Sequence, residues 1–233
     1  MSSSHHIEQQ ESIRQIDNPS VNDNRKYDYT GYPDSDRYEY PIIVEMVQPH
    51  SRVLDLGCGN GALLARLKKE KQVSETGLEI SESGVQICKE RGLNVQYGRI
   101  DERLPFDDDS FDYAICNVTI QMVMYPEVLL REMKRVAKYQ IVSFPNFAFW
   151  RNRLDLLFHG RMPRTMLFGY QWYSTGHIHQ LSFFDFEQLV ATIGGLNIVQ
   201  RRLEQSSNPI KNFFMKQFPN MFQMLAIYQL EKQ

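Results

Sequence analysis

The segment Val53-Leu54-Asp55-Leu56-Gly57-Cys58-Gly59-Asn60-Gly61 constrains this chain more than any other. An apolar strand runs into an acidic residue and a three-glycine turn, and an amphipathic stretch follows. Strand, glycine turn, helix is how an open α/β sheet offers backbone amides to a nucleotide-like ligand at the carboxyl ends of its strands. Glycine is needed there because a side chain would hold the ligand off the backbone and because such turns visit φ values that other residues avoid.

The pattern after Arg52 alternates strand and helix. Arg52–Leu56, Glu75–Ile80, Asn94–Ile100, Phe111–Cys116 and Gln140–Phe144 read as strands, the last stopped by Pro145. Between them lie helical spacings: Ala62–Glu70, with Leu63, Leu64 and Leu67 on one face; a run from the capping Ser81 through Arg91, closed by Gly92; and Glu127–Ala137. Pro41–Val47 is a further short helix. Near the end, Phe184–Ile193 reads as a helix, and Asn197–Leu203 and Met224–Leu230 as two strands separated by a Phe- and Met-rich loop at Phe213–Phe222. The expectation is a doubly wound α/β fold: a mostly parallel, seven-stranded, Rossmann-like sheet whose last two strands pair antiparallel at one edge with no helix between them. Residues 1–25, rich in Ser, Gln and Asn, are expected to be a flexible N-terminal arm. Residues 26–233 are expected to form one domain, with 147–182 an aromatic and arginine-rich insert or flap.

Composition narrows the function classes. Lys+Arg number 26 against Asp+Glu 28, a net charge of −2, which offers no electrostatic reason to expect nucleic acid or an anionic membrane as partner. No apolar run is long enough to span a bilayer and Met1–Ser20 lacks the apolar core of a secretory signal, so a cytoplasmic protein is expected. Cys58, Cys88 and Cys116 have no metal or disulfide spacing and lie in apolar stretches, as free buried thiols do; no metal site is expected.

Two ligands compete for the glycine turn. Gly57, Gly59 and Ala62 formally satisfy the dinucleotide fingerprint G-x-G-x-x-G/A, and Glu79, about 20 residues on, suits a ribose in either case. Asp55 discriminates between them: a carboxylate ahead of the glycines repels phosphates and welcomes a cationic amino-acid moiety. The tight Gly57-x-Gly59-x-Gly61 triplet points the same way. So does the later order of Gly98 and Asp101, then Leu104-Pro105-Phe106, then Ser110-Phe111-Asp112 entering a strand.

Over residues 50 to 145 this set resembles the class I S-adenosylmethionine-dependent methyltransferases. The resemblance implies S-adenosylmethionine or S-adenosylhomocysteine as the cofactor. It implies a cofactor site drawn from Asp55, Gly57, Cys58, Gly59, Gly61, Glu79, Ile80, Asp101 and Asn117, with Glu79 on the ribose and Asp101 near the adenine amino group. These families place an acidic residue directly after the strand-three glycine, where this chain has Arg99. Loop capping is therefore a competing role for Asp101, as turn capping is for Asn117. No catalytic residues are assigned. His177 and His179 are candidates for a general base, with pocket-rim hydrogen bonding as the plainer role.

A narrower resemblance runs beyond that fold. Thr119-Ile120-Gln121 ahead of Tyr125-Pro126, Ile141-Val142-Ser143-Phe144-Pro145-Asn146-Phe147, Trp150-Arg151, Gly160-Arg161-Met162-Pro163, Trp172-Tyr173 and Ile178-His179 resemble the methionine biosynthesis protein MetW family, over about residues 40 to 230. That resemblance implies a bacterial protein of methionine biosynthesis associated with homoserine O-acyltransferase. Methyl transfer to a small-molecule acceptor remains the alternative, and a nicotinamide-dependent oxidoreductase is disfavoured by Asp55. Arg151, Arg153, Arg161 and Arg164 cluster with Trp150, Phe158, Phe168 and Trp172, residue types enriched in interface hot spots, so residues 147–175 are expected to form a partner or acceptor surface. The tyrosines between Tyr27 and Tyr40 are expected to close over the cofactor.

Overall fold

The computed structural model describes residues 28–30, 37–163, 172 and 175–233. The expected arm at 1–25 lies outside the described residues, as do Tyr27, Tyr32, Arg164, Phe168 and Tyr173.

Seven strands form one sheet in the order β3-β2-β1-β4-β5-β7-β6. They are β1 (Arg52–Leu56), β2 (Ser74–Glu79), β3 (Val95–Tyr97), β4 (Phe111–Asn117), β5 (Ala137–Pro145), β6 (Leu196–Arg202) and β7 (Leu225–Lys232). The first five pair parallel, each linked to the next by a crossover. β7 runs antiparallel to both β5 and β6, so the strand opposing the rest lies one place in from the β6 edge. The strand order reverses between β1 and β4, and a doubly wound sheet opens a crevice at such a point, at the carboxyl ends of its strands.

The helices form where the sequence spacing places them. α1 is Glu39–Met46, α2 Ala62–Lys71, α3 Glu82–Glu90 and α4 Pro126–Val136. α2 buries Leu63, Leu64 and Leu67 and gathers Lys68, Lys69 and Lys71 at its C-terminal end, where cations complement the helix dipole. Ser81 caps α3 by accepting from Gly84 N–H at 3.2 Å. After β5 come α5 (Trp150–Leu154) and a π-helical turn, Asp155–His159, ended by Gly160 in the left-handed region. α6 (Phe183–Ile193) opens on a reciprocal Ser182/Asp185 capping box.

Two expectations need correction. The third strand is shorter than Asn94–Ile100, because β3 pairs only with β2 and the chain leaves the sheet at Gly98 to enter the crevice wall. The connection between β6 and β7 is helical, comprising α7 (Pro209–Gln217) and α8 (Pro219–Phe222). Its start signal is Asn208-Pro209: the Asn208 carboxamide accepts from the N–H groups of Ile210 and Lys211, and proline occupies the first helical position.

The main core lies between the sheet and the helices on one face. Phe144, Phe186 and Tyr228 have ring centroids 4.9–6.0 Å apart, and Phe183 joins them. The buried Tyr228 satisfies its hydroxyl on Glu187 at 2.7 Å. A second cluster, including Ile43, Val47, Val53, Leu67, Ile115 and Ile141, seals the opposite face beneath α1 and α2.

Candidate cofactor site

The crevice at the carboxyl ends of β1, β2 and β4 is a cleft of about 570 Å³, solvent-open mouth included. Gly57, Gly59 and Gly61 all adopt positive φ, at 78°, 57° and 75°. This conformation costs other residues roughly 1–2 kcal/mol each. Space demands glycine as well: a Cβ on Gly57 would lie 2.7 Å from Thr119 Cγ2, and one on Gly61 would lie 2.6 Å from Leu93 Cδ1. The turn is tied to the sheet by Gly57 N–H donating to Leu78 O at 2.8 Å.

Glu79 is the keystone. Its Oε2 accepts from Gly59 N–H at 2.7 Å and its Oε1 from Ser81 N–H at 2.9 Å, while the residue is 3% exposed and lines the cleft. A carboxylate oxygen has two acceptor positions, so Glu79 can brace the turn and still accept from ligand hydroxyls.

Asp55 sits at the heart of β1, buried. Its pKa is pushed up to about 7, first by burial, then by the Glu79 charge, with Arg37 opposing. Glu79 lines the cleft, whereas Asp55 is buried beneath the turn and is not among the lining residues; two carboxylates so close to one glycine turn disfavour an anion there and favour a cation.

Asp101 lines the cleft, and its carboxylate is engaged: it accepts from Arg99 Nε and Nη2 at 3.1 and 3.0 Å and from Met124 N–H at 2.8 Å. It ties the loop after β3 to the loop after β4. Arg99, which departs from the methyltransferase pattern, also lines the cleft; its Nη1 is buried with no acceptor among the described residues. Ile80 contributes apolar lining.

Asn117 ends β4 outside the cleft lining. Its amide donates to Glu39 at 3.2 Å and its carbonyl accepts from Ser143 Oγ at 2.5 Å. Cys58, Gly59 and Gly61 lie behind the lining, and the Cys58 thiol packs where a side chain on Gly77 would go. All three cysteines are buried free thiols.

The cleft also uses residues outside the expected cofactor-binding set. Tyr29 lines it, standing over Gly59 and donating its backbone N–H to Ser83 Oγ at 2.9 Å; of the described tyrosines in the set expected to close the site (Tyr29, Tyr38 and Tyr40), it is the one on the cleft wall. Thr119, Met122, Val123 and Met124 form the wall after β4. The signal for this wall was the apolar run Met122-Val123-Met124 just ahead of a helix. Its approach is strained: Val118, β-branched, has φ 52°, held by Val118 N–H donating to Ser143 O and Oγ and by Gln121 Nε2 donating to Val118 O.

His177 and His179 are not at the cleft. His179 Nε2 lies 3.4 Å from Met124 O, and the backbone N–H groups of Ile178 and His179 donate to Gln121 O. They belong to a segment clamping the cleft wall from outside, which runs on to Leu181 O, the acceptor of Phe147 N–H. Among the described residues no group of three His, Cys, Asp or Glu is arranged to hold a metal, and no helix is long and apolar enough to cross a membrane.

Known proteins share this architecture. A S-adenosylmethionine-dependent methyltransferase from Mesorhizobium loti superposes with a TM-score of 0.63 at 17% identity, covering 86% of this chain and 100% of that one. A second, from Thermotoga maritima, gives 0.58 at 20% identity, covering 84% and 88%. These are likenesses of fold. In sequence, the chain is 36% identical over 167 residues to the bifunctional methionine biosynthesis protein MetXA/MetW of Rhodopirellula baltica, a match that takes in 67% of this chain and 26% of the relative's length. The family model for methionine biosynthesis protein MetW matches residues 37–230, which takes in the glycine turn, the wall after β4 and the α5–α8 region together. By this match over most of its length, the chain belongs to the MetW family of methionine biosynthesis proteins.

Proposed function

We propose that the cleft binds S-adenosylmethionine and that the chain acts with homoserine O-acyltransferase as a cofactor-binding subunit. The observation that carries the first part is the pair of buried carboxylates, Asp55 and Glu79, under the glycine turn. A pyrophosphate would meet repulsion there; a sulfonium and an ammonium would meet attraction. Glu79 would hold the ribose, Asp55 would face the cationic end, and Arg99 with its unpaired donor would meet the base. Tyr29, Met122 and Met124 would supply apolar cover and exclude water. Asp101 positions Arg99 and the Met124 backbone. When bound, the cofactor supplies an electrophilic methyl group; the chain's contribution is orientation and exclusion of solvent.

The second part rests on the bifunctional relative, in which MetXA and MetW functions share one polypeptide. The chain spans about a quarter of that relative's length, leaving room for a separate MetXA portion. The test measures acyltransferase activity of the same organism's enzyme with and without this chain, at zero and saturating S-adenosylmethionine. Co-elution with a change in activity supports the subunit reading. No association, together with acceptor-dependent formation of S-adenosylhomocysteine, would replace it with catalytic methyl transfer to a small molecule. Tight NAD binding in place of S-adenosylmethionine would overturn the ligand assignment.

A further inference from the structure

A second depression lies away from the cleft, between α5 and the α7–α8 pair. It encloses about 1020 Å³, open mouth included, and Trp150, Phe214, Phe222 and Met224 give it apolar walls. Its floor is held by two fully buried amides. Asn146 donates from Nδ2 to Asn220 O and Gln223 O at 3.1 and 2.8 Å. Gln223 donates to Glu204 O and Met215 O and accepts from Glu204 N–H. The groove is therefore pre-formed, and binding there costs little ordering.

The helix that supplies Lys211, Phe214 and Met215 to the groove also carries exposed apolar side chains. α7 buries only Met215, while Ile210 is 69% exposed and Phe213 58%. The π-helical turn that continues α5, whose Trp150 and Arg151 line the groove, also exposes Leu157 and Phe158. Large apolar groups concentrated in this way mark interaction surfaces. The charges that line the groove are mostly cationic: Arg151 and Lys211 against the half-buried Glu204, with Lys216 exposed on α7.

Resting on the association proposed above, we infer that this groove is where homoserine O-acyltransferase docks, presenting an apolar segment flanked by carboxylates. The cationic rim selects the flanking charge, and the aromatic walls supply the anchor pocket typical of hot spots. The bifunctional relative indicates the occupant, because its MetW-like portion shares a chain with the MetXA portion.

The test uses full-length proteins. Phe213→Glu, Ile210→Glu and the charge reversal Arg151→Glu/Lys211→Glu are compared with wild type and with Lys69→Glu, a control on α2, for acyltransferase affinity, S-adenosylmethionine affinity and thermal midpoint. The altered side chains are exposed, so the fold and cofactor affinity should stay unchanged. Partner affinity should fall at least tenfold for each groove variant and stay unchanged for the control. Wild type binding the enzyme while folded groove variants bind equally well would overturn the groove and leave the association standing. Failure of wild type to bind would overturn both. Concentration-dependent self-association that Phe213→Glu abolishes, with enzyme binding intact, would give the groove to a second copy of this chain and overturn the inference.

Discussion

The carboxylate of Glu79 accepts the backbone N–H of Gly59 at 2.7 Å, so the end of β2 holds the glycine turn that follows β1. One side chain thus shapes the turn and lines the cleft. Glu79→Ala removes the acceptor and leaves the amides of Gly59 and Ser81 buried without it. Unfolding free energy should fall by about 2–4 kcal/mol, given about 1–3 kcal/mol per unsatisfied buried group partly relieved by water. S-Adenosylmethionine affinity should fall at least tenfold. Denaturant melts and titration calorimetry check this; a melt shift under about 0.5 kcal/mol would show that the turn holds itself.

At Gly57 the objection to a side chain is double: φ is 78° and Thr119 Cγ2 would lie 2.7 Å from the new Cβ. Gly57→Ala should cost about 2–3 kcal/mol of stability, combining backbone strain with overpacking. Thr119→Ser removes the clashing methyl, so the double variant should recover about 1 kcal/mol while the φ penalty stays. Strict additivity in this cycle would refute the contact as the cause.

Asp55 predicts a pH dependence. Its folded pKa of about 7 lies above its unfolded value of about 3.9, so the folded state holds a proton that the unfolded chain releases. Its stabilising effect is complete below about pH 4 and is lost as pH rises toward 7, with about 4 kcal/mol as the upper limit. Between pH 5 and 8 the ligand-free thermal midpoint of wild type should therefore fall relative to that of Asp55→Asn. Parallel profiles would refute the shift.

In the proposed binding mode, the same group also sets the pH dependence of cofactor affinity. A cationic ligand favours ionised Asp55, so affinity should rise with pH up to about 7, and binding at pH 6.5 should release protons. Calorimetry in buffers of different ionisation enthalpy counts those protons. Asp55→Asn should remove both the release and the pH slope.

Arg135 organises the loop that leads into β4. It donates to Phe106 O, Leu104 O, Glu132 and Asp108, and Glu132 also accepts Leu104 N–H. Arg135→Ala should destabilise the fold by about 2–4 kcal/mol because it leaves a mostly buried carboxylate and two carbonyls without their partner. Arg135→Lys should recover less than half, since an ammonium cannot span the planar fork. Full recovery by lysine, read from denaturant melts, would mean that charge alone suffices.

Most of the fold is legible in the chain. The alternating apolar strands and Leu-spaced helices placed β1, α2, α3, β4, α4 and β5 within a few residues, because buried parallel strands need continuous apolar runs and their covering helices need one apolar face. The exceptions have local causes. β3 shortened because an edge strand pairs on one side only. The β6–β7 connection turned helical through Asn208-Pro209, a cap signal hidden among phenylalanines that resembled a loop.

Sequence by itself determined the glycine turn, the acidic residues ahead of it and after it, and the family, because these depend on residue type at fixed spacing along one strand–turn–helix unit. Tertiary structure alone decided that Glu79 braces Gly59, that Asp101 is committed to Arg99 and Met124, that Asn117 is turned to Glu39 and Ser143, and that Tyr29 and Met122–Met124 complete the wall. Each of these joins residues from different strands or from loops remote in the chain. Their meeting is set by strand order and register, and a one-dimensional pattern carries no record of which strand lies beside which.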